Sequence, residues 1–204
     1  MPSGLVGVFA DAADWPVMGN RDLSGYERNR LWLQLPPEKG ELRFAEVAEK
    51  AGVRDLYNGR GVALLDADND GDLDVFIANQ GKEATFYRNL LYADGHRDSS
   101  HWLGLNLVGD PSGAVDASGR RRASTKDAVG ARAVVSCGGT SQIREVQGGT
   151  GFAAQSDRRL FFGLGACAAP SSIEIDWPSG KADKLDAERA RALVDRMTRI
   201  EETR

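Results

Sequence analysis

The 204-residue chain sets 26 Lys and Arg against 30 Asp and Glu, for a formal charge of −4, and carries 24 glycines. That length suits one or two domains with a real core, and glycine above the ~7% average points to tight turns and an all-β chain. Five aspartates fall within residues 66–74, and the remainder is close to neutral, which argues against a general nucleic-acid binder and a polyacidic tail.

Residues 1–40 are irregular, broken by Trp15-Pro16, Gly19-Asn20 and Pro36-Pro37. The first 18 residues lack a basic n-region and carry Asp11 and Asp14, which makes a poor signal peptide. No segment reaches membrane-spanning length. Residues 29–35 form a strand candidate with Leu31, Leu33 and Leu35 on one face. Residues 44–52 read as a short helix or turn ending at a glycine cap. Apolar, partly β-branched runs of strand length follow at 61–65 and 73–78, with another strand candidate at 84–91. The polar stretch 92–100 looks like a boundary.

Between the runs at 61–65 and 73–78 lie Asp66, Asp68, Asp70, Asp72 and Asp74, every second residue, with Gly71 among them. Carboxylates this dense repel one another unless a counter-ion binds. Alternate residues of a looped chain can turn oxygens inward, and glycine permits the sharp bend. Oxygen-only ligation favours Ca²⁺ over Zn²⁺, which prefers His and Cys, and over Mg²⁺, which keeps its waters. An EF-hand would need a bidentate Glu at its twelfth position, where Ile77 stands. The pattern therefore predicts a strand–loop–strand metal site closed by Asp74. Asp66, Asp68, Asp70 and Asp74 are expected to ligate through side chains. Asp72 is expected to offer its carbonyl and turn its carboxylate to solvent. A plain acidic turn at Asn69-Asp70-Gly71 would need only one or two such residues.

From His101 onward the pattern is regular. Leu103, Leu105 and Leu107 alternate, as do Ala131, Ala133, Val135 and Cys137, then Leu160, Phe162 and Leu164, then Ile173, Ile175 and Trp177. Turn signals at Gly138-Gly139, Gly148-Gly149 and Pro178-Ser179-Gly180 separate them. This period of two predicts an antiparallel sandwich with one wet face on each sheet. Cys137 and Cys167 are either a pair across the sandwich or two buried thiols. At the C-terminus Leu193, Val194, Met197 and Ile200 have helical spacing behind an Asp186 N-cap, with a strand at 196–201 as the competing reading.

Other polar residues give no catalytic constellation. His96 and His101 lack zinc spacing, and Ser136, Ser156 and Ser179 lie in no nucleophile elbow. Asp127 is expected to hydrogen-bond backbone where a strand begins, with a second metal site as the alternative. Arg120-Arg121-Arg122-Ala123-Ser124 reads as solvated loop before kinase or phosphate site. Trp102 and Trp177 are expected to be buried rather than to stack on a sugar.

Residues 61–79 resemble the FG-GAP or VCBS repeat, a β-propeller blade unit whose aspartate loop binds Ca²⁺. The segments at 101–107, 127–135, 144–149, 155–156, 160–165 and 175–180 follow in the order of, and resemble, the ASPIC/UnbV domain, although the 110–126 connection looks long and basic for it. The pairing is similar to the cartilage acidic protein family, whose bacterial relatives include proteins encoded near enediyne biosynthesis genes. The resemblance implies a mainly β fold: a partial, propeller-blade-like calcium-binding hairpin, an antiparallel β-sandwich and a short C-terminal helix. Its divisions would be 1–98, 101–185 and 186–204. One calcium motif is far from the ~4–8 blades of a closed propeller, so the hairpin is expected to pack on the C-terminal domain or on another chain. The expected role is a non-enzymatic, calcium-binding β module for protein or glycan interaction. The alternative is an accessory or catalytic protein of a biosynthetic pathway. Expected partners exclude nucleic acid and a membrane span and allow a homo-oligomer, and the resemblance suggests an extracellular or periplasmic setting.

Overall fold

A computed structural model describes residues 28–92 and 99–203, apart from 114, 116, 120 and 121. The first 27 residues of the stretch read as irregular, the leader-peptide reading, His96, Arg120 and Arg121 lie outside the described residues, whereas Pro36-Pro37 fall within a strand. The chain divides into two compact units, one of residues 1–60 and 78–84, the other of 61–77 and 85–204.

In the first unit β1 (Trp32–Glu38) and β2 (Glu41–Glu46) form an antiparallel hairpin. Its ladder shifts register between Leu35 and Glu38, so the prolines, which cannot donate, bend the strand rather than end it. The helix-or-turn expected over 44–52 begins instead as strand, because Phe44 pairs opposite Gln34 and Glu46 opposite Trp32. Turns follow, ending at Gly52 with φ 87°.

The strands β3 (Gly59–Leu65), β4 (Asp74–Asn79) and β5 (Thr85–Tyr87) make a three-stranded sheet in that order. The metal-type loop joins β3 to β4.

The second unit is built round a sandwich. Its strands are β6 (His101–Val108), β7 (Arg132–Cys137), β8 (Thr140–Glu145), β9 (Leu160–Gly165), β10 (Ser172–Asp176), β11 (Ala182–Leu185) and β12 (Met197–Glu201). One sheet has the order β11-β10-β7-β8, the other β12-β6-β9. The predicted alternation becomes the core: Leu103, Leu105, Leu107, Val135, Leu160, Phe162, Ile173 and Ile175 are buried together. Each such side chain contributes roughly 1.5–3 kcal/mol by leaving water. Cys137, at the end of β7, is disulfide-bonded to Cys167, just past β9, so the bridge links the two sheets.

One pairing departs from the antiparallel pattern. The helix α1 (Ala187–Arg191) is capped as expected by Asp186, whose side chain accepts from the Arg189 amide at 3.0 Å. It ends after little more than one turn, and Met197 and Ile200 enter β12, which runs parallel to β6. So short a helix is marginal alone, whereas β12 gains a ladder on β6, extended by Gly104 N–H to Arg196 O and Glu202 N–H to Val108 O. Among the described residues no helix is long and apolar enough to cross a membrane.

Candidate metal centre

The aspartate loop lies wholly in the second unit. Asn69 (φ 61°) and Gly71 (φ 100°) take the left-handed region and curl the chain. Gly71 is constrained twice. A Cβ built there would fall inside the Trp102 indole, so the ring lies directly against the loop backbone. Trp102 alternates with the core leucines of β6 and is therefore buried beneath the loop, outside the sandwich core cluster.

Hydrogen bonds within the loop fix the curl. The Asp70 amide donates to Asp66 Oδ1 and the Asp72 amide to Asp70 Oδ1, both at 3.1 Å. Asp74, 1% exposed, accepts from Ala67 N–H at 3.0 Å and Asn89 N–H at 2.8 Å, so each of its oxygens is engaged. It buckles the loop to the segment after β5. Asp72 corrects the expectation of a solvent-facing carboxylate. It is buried, and its Oδ2 accepts from Tyr92 N–H at 3.1 Å because that same segment supplies a backbone donor.

One carboxylate oxygen from each of Asp66, Asp68 and Asp70 lies within 4.8 Å of the other two. At an effective dielectric of about 20, two unit charges that close repel by roughly 3 kcal/mol. Asp66 Oδ2, Asp70 Oδ2 and Asp72 Oδ1 are moreover buried without a hydrogen-bond partner among the described residues. Buried polar atoms are nearly always satisfied, so three orphaned oxygens in one loop require an explanation. The structure thus brings Asp66, Asp68 and Asp70 together and engages Asp74 fully with backbone. Asp72 is half engaged and has one oxygen to spare.

Two arginines border the loop. Arg88 Nη2 is 2.5 Å from Asp68 Oδ2. Arg159 donates to Asn69 Oδ1 and to the Asp66 carbonyl, each at 2.7 Å, while Asp157 holds its other edge at 2.5 Å. Arg159 therefore fastens the loop to the sandwich, and Leu64 adds to this through its amide to Ser156 Oγ and its carbonyl to Asp157 N–H. Burial pushes the Asp66 carboxyl above its ordinary pKa, opposed first by the Arg159 charge. Burial likewise raises Asp72, opposed by the Tyr92 amide and reinforced by Asp70, Asp74 and Asp68. Without a cation both sites hold protons unusually well.

The donor set is oxygen only, charged and convergent. That suits a hard cation such as Ca²⁺ and not zinc. Asp66, Asp68 and Asp70 could hold it, with Asp72 Oδ1 as a further oxygen. Sequence reasoning missed Arg159, Arg88 and the Asn89 and Tyr92 amides, and it anticipated the burial of Trp102 but not its place against the loop. Arg159 bonds to a residue 90 positions away, and no local signal marks it.

The other candidates have ordinary roles. His101 Nδ1 lies 2.9 Å from Asp195 Oδ2. Asp127 pairs with Arg158 at 2.6 Å rather than capping backbone. Ser136 bonds to Ser141, and Ser179 donates to the buried Glu202, which also accepts from Asp110 N–H. Trp177 fills core and donates Nε1–H to Asp183 at 2.7 Å.

Together, fold and site define a mainly β protein, with a sandwich and an acidic loop held against it. The family described as ASPIC and UnbV matches residues 121–203, which take in β7 to β12. No curated protein matches the chain.

Proposed function

We propose that the chain is a non-enzymatic, calcium-binding β module that presents surfaces for protein or glycan binding, and that residues 61–79 are an FG-GAP-like calcium hairpin seated on an ASPIC/UnbV-type sandwich. The observation that carries this reading is the convergence of Asp66, Asp68 and Asp70 beside three buried, unpartnered carboxylate oxygens. Calcium would act there as a folding ligand. It would remove the repulsion within the loop and secure a segment already tied to the sandwich by Arg159. Exposed Trp32, Leu42 and Phe44 on one face of the β1–β2 hairpin support a protein partner. The Cys137–Cys167 bridge supports an oxidising setting, extracellular or periplasmic. An accessory or catalytic part in a biosynthetic pathway rests on the family resemblance alone.

Thermal unfolding in Ca²⁺ and in EDTA, for the wild type and Asp70→Ala, tests the reading. With a Kd of ~10⁻⁴–10⁻³ M, millimolar Ca²⁺ stabilises the wild type by about 0.5–1.5 kcal/mol and leaves the variant unmoved. An unchanged midpoint in all four conditions contradicts it.

A further inference from the structure

A cleft of about 490 Å³ opens in the second unit, lined by Lys126, Asp127, Asp157, Arg158, Arg159 and Arg199 together with residues of β6. Part of its lining is the outer face of the β12-β6-β9 sheet. Asn106 is exposed between the buried Leu105 and Leu107, and Arg199 sits opposite it in the ladder. Of these charged groups four are cationic and two anionic.

The pairing is uneven. Arg158 is matched by Asp127. Each nitrogen of Arg159 already donates to Asp157, Asn69 or the Asp66 carbonyl, so it is a wall of the cleft and not the ligand-binding group. Arg199 sends Nε and Nη2 to a single oxygen of Glu201, which leaves Nη1 available among the described residues. Lys126 makes no ion pair among the described residues. A concave site focuses such surplus charge, and its volume is that of a small-molecule pocket.

The cleft also lacks a stacking surface. Among the described residues no aromatic side chain lines it, and the nearby Phe161 ring is covered by the Arg159 guanidinium at 5.4 Å. A nucleobase or a neutral sugar ring would therefore find no platform. A compact oxyanion needs none. A lysine point charge and one free arginine edge serve it well.

We infer that this cleft binds a sulfate or phosphate group, free or esterified to a sugar, through Lys126 and Arg199. The inference does not depend on calcium in the aspartate loop.

Isothermal titration of the full chain at low ionic strength tests it, with inorganic sulfate, inorganic phosphate, and a sulfated disaccharide as probes. Lys126→Ala and Arg199→Ala truncate exposed side chains and are expected to leave the fold intact. Each is expected to weaken binding by about tenfold. Lys184→Ala, which removes an exposed cation paired to Glu174 and outside the cleft, is expected to leave binding unchanged. Tighter binding of the disaccharide than of free sulfate identifies an esterified ligand, and equal affinities identify the free anion. The inference is overturned if none of the probes binds. It is equally overturned if Lys126→Ala and Arg199→Ala bind as the wild type does, or if Lys184→Ala loses as much as they do.

Discussion

The β1–β2 hairpin and the sandwich share one sequence pattern and reach opposite ends of burial. Leu103, Leu105 and Leu107 of β6 alternate as Leu31, Leu33 and Leu35 do, yet the first three are buried, whereas Leu33 is 55% exposed, Trp32 60% and Phe44 54%. Period two specifies a strand and its faces. Whether a face is covered depends on a second layer, and the sandwich supplies one from β7 and β10 of the facing sheet. The first unit holds its hairpin together by a ladder and surface pairs such as Arg43 with Glu38, which contribute little.

Paired truncations sharpen that contrast. Phe162→Ala in the core is expected to cost about 3–5 kcal/mol in denaturant unfolding, while Phe44→Ala shifts stability by less than about 0.5 kcal/mol. Equal losses would mean that the exposed face is covered in solution. Next in size is the link between the sheets. Replacing Cys137 and Cys167 by serine, or reducing them, is expected to lower the midpoint of the sandwich by an amount equivalent to about 3–4 kcal/mol, since the bridge closes a loop of 30 residues.

Gly71→Ala probes how the loop is seated. It combines a left-handed backbone with a Cβ driven into Trp102, for an expected loss of about 2–3 kcal/mol and a change in tryptophan emission. A silent substitution would detach the loop from Trp102.

The smallest effect expected is on pH dependence. Asp66 and Asp72 have raised folded-state pKa values, so in EDTA their contribution to stability is full below the ordinary carboxylate pKa. It is lost as pH climbs through the raised values. On the proposed reading, calcium binds the ionised form and removes that loss. Melting curves between about pH 4 and 7 should therefore show the stabilisation by calcium shrinking as pH falls. A gain independent of pH would place the ion elsewhere.

Much of this was legible in the chain. The aspartate spacing named the loop, the glycine named its bend, and alternation named the sandwich strands and their inner faces. Local pattern could not show what comes from afar. Asp72 was expected outside because nothing nearby in sequence announces the Tyr92 amide that holds it. Arg159 gave no sign of its reach to Asn69 and Asp66. The C-terminal tail kept a helical spacing even where β6 offered a parallel ladder, and tertiary pairing prevailed over periodicity. The two cysteines were equally consistent with a bridge or free thiols until the ends of β7 and β9 were brought together.

Terbium luminescence probes the proposed cation site most directly, because the Trp102 indole lies against the loop and can pass excitation to a bound lanthanide. Tryptophan excitation of the wild type with Tb³⁺ is expected to give sensitised emission that Ca²⁺ displaces and that Asp70→Asn and Trp102→Phe abolish. Absence of sensitised emission, or emission that survives Asp70→Asn, would contradict a cation held between Asp66, Asp68 and Asp70.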